Sequence, residues 1–310
     1  MIPSPSAALA TNRPSAPQAL VTHSTGRALP VTSAPRPYLH PIRSLAGTAV
    51  TEAEPADHPH HLGLSLAFSD LNGTNFWGGS TFTPGHGPKL LPNHGTQVPW
   101  GWQHTTRGAA GSVTWRSKSG KEVALERRSF HYLGHPDPKT WSLSVASVMV
   151  PGADVEELVV SSSAVKGRHG AGYGGIFWRF GACAGDPVIL SAAGDGEAAA
   201  HGSLSSWLSI SMKNDGEPVS VVLFQEVREP RIPARGSERL LPWFVRADGY
   251  LGAGPAVAWA EPARATSDHP LRLSLNAVIH DGPVDTSTHA LELIQQHPRI
   301  SHTRTPDRTP

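Results

Sequence analysis

Three histidines and an aspartate fall within five positions at Asp57-His58-Pro59-His60-His61, followed by Leu62-Gly63. Each neutral imidazole offers a lone pair to a metal, or a proton-transfer site near neutral pH. In an extended segment His58 and His60 point to one side and His61 to the other. Two chemistries follow from that pairing. His58 and His60, with Asp57, can bind one divalent metal. Alternatively, one imidazole acts as general acid or base while another polarises a sugar oxygen. A third reading is structural: Pro59 fixes a turn and the imidazoles bond within the fold. His40 lies in a segment bracketed by Pro37 and Pro41 and is the candidate to join the same site.

A second polar cluster follows at Asp70-Leu71-Asn72-Gly73-Thr74-Asn75-Phe76-Trp77. The amides of Asn72 and Asn75 can read hydroxyls, and the Trp77 indole can stack on the C–H face of a sugar. Turns also favour Asp and Asn for local backbone reasons. A third candidate stretch is Val165–Phe180, VKGRHGAGYGGIFWRF, whose glycines permit close backbone approach. Tyr173 and Trp178, with Phe76 and Trp77, could form an aromatic platform. Arg168 and Arg179 could bind an anion or hydroxyls. The plainer alternative is a glycine-rich connector into a buried strand, with the tryptophans in an aromatic core. Arg36 and Arg43 could also bind a carboxylate or hydroxyls. His94 and His104 are secondary candidates. Glu126 is expected in an ion pair across strands. His280 and Asp281, adjacent on a strand, face opposite ways and do not make a pair.

The elements that must position these residues are strands. The 310 residues hold 31 Gly and 29 Pro with only 16% charged residues, punctuation that suits strands joined by tight turns. Alternation marks strands at His61–Phe68, Ser112–Arg116, Glu122–Tyr132, Thr140–Val150, Leu158–Ser162, Ser205–Met212, Val219–Glu226, Trp243–Arg246, Ala256–Ala260 and Leu271–His280. A short strand is expected near Gln18–Thr22, turns at Asn72-Gly73 and Asn214-Asp215-Gly216, and a loop over Pro84–Pro99. The one helix expected lies near Ser287–Gln296, with a cap between Asp285 and Ser287. The fold class is therefore all-β, a large antiparallel sandwich with one C-terminal helix. It is expected to span residues 16–298 as a single domain, with 1–15 disordered and 299–310 frayed.

A net charge of +1 argues against nucleic acid or an anionic membrane as main partner. The single cysteine, Cys183, excludes an intrachain disulfide and a Cys-based metal site. No apolar run approaches the roughly 18–20 residues of a membrane span. No basic n-region precedes an apolar h-region, so a soluble, cytoplasmic protein is expected. No P-loop, dinucleotide fingerprint or nucleophile elbow is present, so no cofactor is evident beyond a possible divalent metal.

Several strings taken together carry a family resemblance. They are RPYLHPIRSLAGTAVT (Arg36–Thr51), PADHPHHLGLSLA (Pro55–Ala67), DLNGTNFWGG (Asp70–Gly79), NHG (Asn93–Gly95), GRHGAGYGGIFWR (Gly167–Arg179), LPWFVR (Leu241–Arg246) and HDG (His280–Gly282). In order and content the chain resembles a family of soluble bacterial proteins labelled PmoA-like, after a methane monooxygenase subunit. The resemblance covers roughly residues 30–297. It implies a β-sandwich similar to the galactose mutarotase supersandwich, and a link to sugar catabolism. It supplies no catalytic residues to carry over. The expected function is carbohydrate acid/base chemistry of the epimerase, lyase or hydrolase type, on a small-molecule sugar or glycoside. The alternatives are a non-catalytic carbohydrate-binding or accessory protein and, third, a metal-dependent oxygenase.

Overall fold

Alternating apolar residues build two large antiparallel sheets whose inner faces make the core, with a three-stranded and a two-stranded sheet beside them among the described residues. The computed structural model describes residues 19–214, 216–226 and 239–298. The expected disorder of residues 1–15, the frayed tail at 299–310, Gln18 and Asp215 lie outside the described residues. The larger sheet runs through Gly194–Asp195, Val188–Ser191, Trp207–Asn214, Glu217–Phe224, Leu271–His280, Thr140–Pro151, Glu122–Gly134, Gly108–Arg116 and Thr96–Thr105. The smaller runs through Val21–Ser24, Tyr38–Ile42, Leu64–Phe68, Gly174–Arg179, Gly252–Pro255 and Trp243–Arg246. Leu64, Leu66, Phe68, Ile176 and Trp178 of the smaller sheet pack on Val113, Trp115, Phe130, Leu143 and Leu275 of the larger. The fold is an all-β sandwich.

The helix Ser287–Gln295 closes the described chain. Thr286 caps it, its hydroxyl accepting the His289 N–H at 3.2 Å. Ala290 and Leu293 seat it against Val222 and Val278 of the larger sheet.

Several strand expectations change. The loop expected over Pro84–Pro99 holds the strand Gly87–Lys89, which pairs with Thr81–Thr83 in a small hairpin. Thr96–Thr105 is a strand despite Pro99, because it forms an edge of the larger sheet, where a missing N–H is tolerated. It also carries a bulge between Trp100 and Gln103. The strand expected at Ala256–Ala260 lies earlier, at Gly252–Pro255. Gly-Ala-Gly-Pro lacks β-branched residues, so propensity hid it. Val188–Ser191 and Gly194–Asp195 are additional strands.

Between the sheets lies one closed ionic network. Arg128 donates to both carboxylate oxygens of Glu126 at 2.7 Å. The Ser147 hydroxyl and the Trp115 indole N–H also donate to that carboxylate, each at 2.8 Å. Arg128 further donates to Gln97 Oε1 at 2.9 Å and Pro37 O at 3.3 Å. The ion pair expected across strands is instead within one strand. Residues two apart share a face.

The smaller sheet has a second, outward side. Trp243 and Val245 face the core, so Phe244 and Arg246 face out. Ile176 and Trp178 face the core, so Phe177 and Arg179 face out. Ala67, Trp77, Phe177, Phe244 and Ala256 form a separate apolar cluster there, flanked by Tyr173, Tyr250 and Trp259.

Candidate functional site

The histidine segment lies over this outward face. It is not extended. His58 N–H donates to Pro55 O at 3.0 Å and His61 N–H to His58 O at 2.9 Å, so two turns follow one another around Pro59. The expected split, with His58 and His60 on one side and His61 opposite, is therefore corrected. Turning brings all three rings together: His58 stacks on His61 at 4.7 Å, and His60 meets His61 edge-on at 4.8 Å. Below them, His61 lies edge-on to Trp77, Phe177 and Tyr250.

The environment divides the three imidazoles. His61 is 3% exposed, and burial with the neighbouring His60, His58 and Arg179 holds its pKa far below the usual range. His60 is pushed down to about 4, by burial first and then by Arg36 and His58. His58 is the half-exposed member, with its Nδ1 2.7 Å from Asp57 Oδ2. That hydrogen bond is the largest cause holding the Asp57 carboxyl below its ordinary range. An ionised carboxylate only accepts, so this contact places a proton on Nδ1 and, in the neutral ring, leaves Nε2 as acceptor. His58 Nε2 has no protein partner among the described residues.

Buried groups underneath hold this arrangement. Arg36, 2% exposed, donates to His60 O at 2.8 Å, Trp77 O and Ser33 O at 2.9 Å, and Ser65 Oγ at 3.2 Å. Burial, aided by Arg128, lowers its pKa to about 9. Its donors are thus spent on backbone and hydroxyl oxygens rather than on a ligand. Gly79 has φ +63° and a Cβ there would come within 2.7 Å of the His60 ring, so only glycine fits. His94 Nε2 bonds Gly79 O at 2.7 Å and helps fix that turn.

Arg179 reaches the cluster from the adjoining strand. Its Nε and Nη2 donate to Glu52 Oε2 at 3.2 and 2.7 Å, and its guanidinium lies 4.9 Å over the Tyr250 ring. Tyr250 in turn packs 5.0 Å from His58. Two buried polar atoms here, His61 Nδ1 and Arg179 Nη1, have no hydrogen-bond partner among the described residues.

The other expected residues are placed as follows. Trp77 belongs to the cluster but is 5% exposed, a floor under His61 rather than an open platform. Tyr173 joins it, 4.8 Å from Trp77, with its hydroxyl 3.0 Å from Ser163 Oγ. Arg168 is exposed, close enough to act electrostatically on Tyr250. Trp178 and Phe76 do not join it. Trp178 points into the core, where its indole donates to Val50 O at 3.0 Å, because a strand alternates and Phe177 takes the outward position. Phe76 packs on Trp115 at 4.8 Å in the same core. The Asn72 amide is used by the neighbouring strand, donating to Glu157 O at 2.8 Å and accepting from Val159 N at 3.0 Å. Asn75 Oδ1 accepts from Trp77 N and Gly78 N, each at 2.9 Å, and so orients Trp77. His40 bonds Thr51 Oγ1 at 3.0 Å and makes no ring contact with the cluster. Burial, then Arg43, lowers its pKa.

Phe177, Phe244, Tyr250, Glu52 and His61 complete the site beyond the residues expected. Alternation in Gly174–Arg179, counted from Arg179, is the signal that could have found Phe177. Tyr250 sits in a short loop with no motif, and no local signal marks it.

The metal expectation finds no ligand set. Among the described residues no group of three or more His, Cys, Asp or Glu is placed to hold a metal ion. The His58 and His61 rings stack face to face, 24° apart in plane. Asp57 and His58 spend their nearest atoms on each other. No helix among the described residues is long and apolar enough to cross a membrane.

Fold and site together define an antiparallel β-sandwich with an imidazole–aromatic cluster on the outer face of its smaller sheet. Residues 15–293 match DUF6807, a family of unknown function, and the chain belongs to that family. Among curated proteins, none matches the chain.

Proposed function

We propose that the outward cluster binds a sugar or oxidised sugar derivative and moves a proton at it, as an epimerase, lyase or hydrolase would. One observation carries this reading: a half-exposed His58, with Asp57 on Nδ1 and no partner on Nε2 among the described residues, sits beside half-buried His60 on a buried base of His61, Trp77 and Phe177. His58 is the general acid or base. Asp57 fixes its tautomer. Neutral His60 can share a ligand hydroxyl as donor or acceptor. Tyr250 and Tyr173 offer partly open rings for the apolar face of a sugar. The resemblance to PmoA-like proteins, with its link to sugar catabolism, supports the substrate class.

Purified protein incubated with glycosides, their 3-keto derivatives and free sugars is expected to convert at least one of them. His58→Ala is expected to lower that rate by at least about 100-fold, the usual size of a lost acid–base group, while leaving the melting temperature nearly unchanged. No turnover of any compound, or an unaffected His58→Ala variant, would remove this reading. A non-catalytic carbohydrate-binding protein is the second reading, favoured by the aromatic content of the face. It predicts sugar binding with no turnover between about pH 5 and 9, the range spanning histidine titration.

A further inference from the structure

The outward face carries arginines in register. Arg246 pairs with Gly252 across one strand boundary, and Gly252 pairs with Arg179 across the next. Arg179 and Arg246 therefore stand in one row with a glycine between them, their Cα atoms roughly 10 Å apart, two inter-strand steps. Gly252 has no room for a side chain: a Cβ would meet the Phe177 ring at 2.5 Å and the Tyr250 ring at 3.1 Å. Tyr250 thus lies over the space between the arginines, and Arg168, exposed in the glycine-rich loop, adds to the positive field there.

The nearby carboxylates are mostly taken. Glu52 is held by Arg179, Asp57 by His58, and Glu197 by the Ala247 N–H at 2.8 Å. Asp248 is exposed in the loop before Tyr250. Among the described residues neither the Arg168 nor the Arg246 side chain has a hydrogen-bond or ion-pair partner. Arg179 keeps a buried Nη1 with none. The Tyr250 hydroxyl is also without a partner, and burial raises its pKa to about 12, so it remains a donor at neutral pH.

We propose that the ligand of this face is an acid, whose carboxylate binds at the Tyr250 hydroxyl between Arg179, Arg246 and Arg168. Resting on the carbohydrate reading, this names a uronic or aldonic acid unit rather than a neutral sugar. Guanidiniums suit the task because they present paired, fixed N–H donors to a carboxylate.

The test is calorimetric titration of the full chain with D-glucuronate, D-galacturonate and D-gluconate. Controls are D-glucose, D-galactose, the methyl ester of glucuronic acid, and the non-sugar acids succinate and benzoate. The sugar acids are expected to bind at least about tenfold tighter than the ester and the neutral sugars, the scale of one charge-assisted contact. Arg246→Gln, checked for an unchanged melting temperature, should remove that advantage and leave neutral-sugar affinity alone. Arg168→Gln should do so in part. Equal binding of acid and ester overturns the carboxylate site and leaves the carbohydrate reading standing. Succinate binding as tightly as glucuronate, with the same loss in Arg246→Gln, supports the carboxylate site and overturns the carbohydrate reading. No binding of any compound overturns both.

Discussion

Two arginine–glutamate pairs stand on opposite sides of the smaller sheet, and they are built differently. Arg128 and Glu126 lie between the sheets, and both carboxylate oxygens and several guanidinium donors meet partners. Arg179 and Glu52 lie on the outer face. There a single carboxylate oxygen accepts both bonds and Arg179 Nη1 is left over. A closed network gives a core one arrangement and leaves nothing for a ligand. An open one, beside a half-exposed His58 and unpaired Arg168 and Arg246, leaves bonding capacity that a ligand can use. Clustering of histidines is not the distinguishing feature. His23 and His104 also cluster, around Trp102 and Phe130, but between the sheet edges and with no carboxylate partner among the described residues.

The comparison breaks most visibly at Glu126. Glu126→Ala strands a buried guanidinium and should cost about 3–5 kcal/mol, read as a lower urea midpoint. An unchanged midpoint would mean the inner pair is not the closed network described. Glu52→Ala should cost less, about 1–2 kcal/mol, since one charged hydrogen-bonded contact is lost at a partly exposed site. Equal losses for the two variants would erase the distinction.

Acid sharpens it further. His60 and His297 are held down to about 4 and His23 to about 3, with burial the leading cause in each. The unfolded chain titrates its histidines near 6.5 and so takes up protons that the folded chain refuses. Stability is then full above about pH 6.5 and falls as pH drops toward 4. Melting curves across pH 8 to 4 should show the fall, and His60→Gln should flatten part of it. A melting temperature constant over that range would contradict the burial of these rings. The smallest stability change is expected for His58→Ala, within about 0.5 kcal/mol because the ring is half-exposed, although its effect on ligand chemistry is the largest.

The sequence showed most of the fold because alternation is local. Thr140–Pro151, Trp243–Arg246 and Leu271–His280 follow directly from it. Part of the site was legible in the same way. His58, His60, Trp77, Tyr173, Arg168 and Arg179 were recognisable by type, and all lie in or beside the cluster. Trp178 was expected in the platform, but the strand's period of two puts Phe177, not Trp178, on the face of Arg179. His61 was misplaced for another reason. Pro59 permits a turn as readily as an extended segment, and the Pro55 and His58 carbonyls that choose the turn act with the Arg36 bond to His60 O, a contact across 24 residues. Asn72 and Asn75 had the right chemistry, but the backbone claimed it. Tyr250 could not be foreseen at all. It reaches His58 and Arg179 only after the last two strands of the smaller sheet have paired.

The central claim is that the outer cluster, and not the inner one, meets the ligand. Long-range proton–nitrogen spectra of the histidine rings, recorded while D-glucuronate and the glycoside panel are added, test it directly. The account predicts that the His58, His60 and His61 signals move together and saturably, while those of His23 and His104 stay in place. Movement confined to His23 and His104, or no movement with any compound, would contradict it.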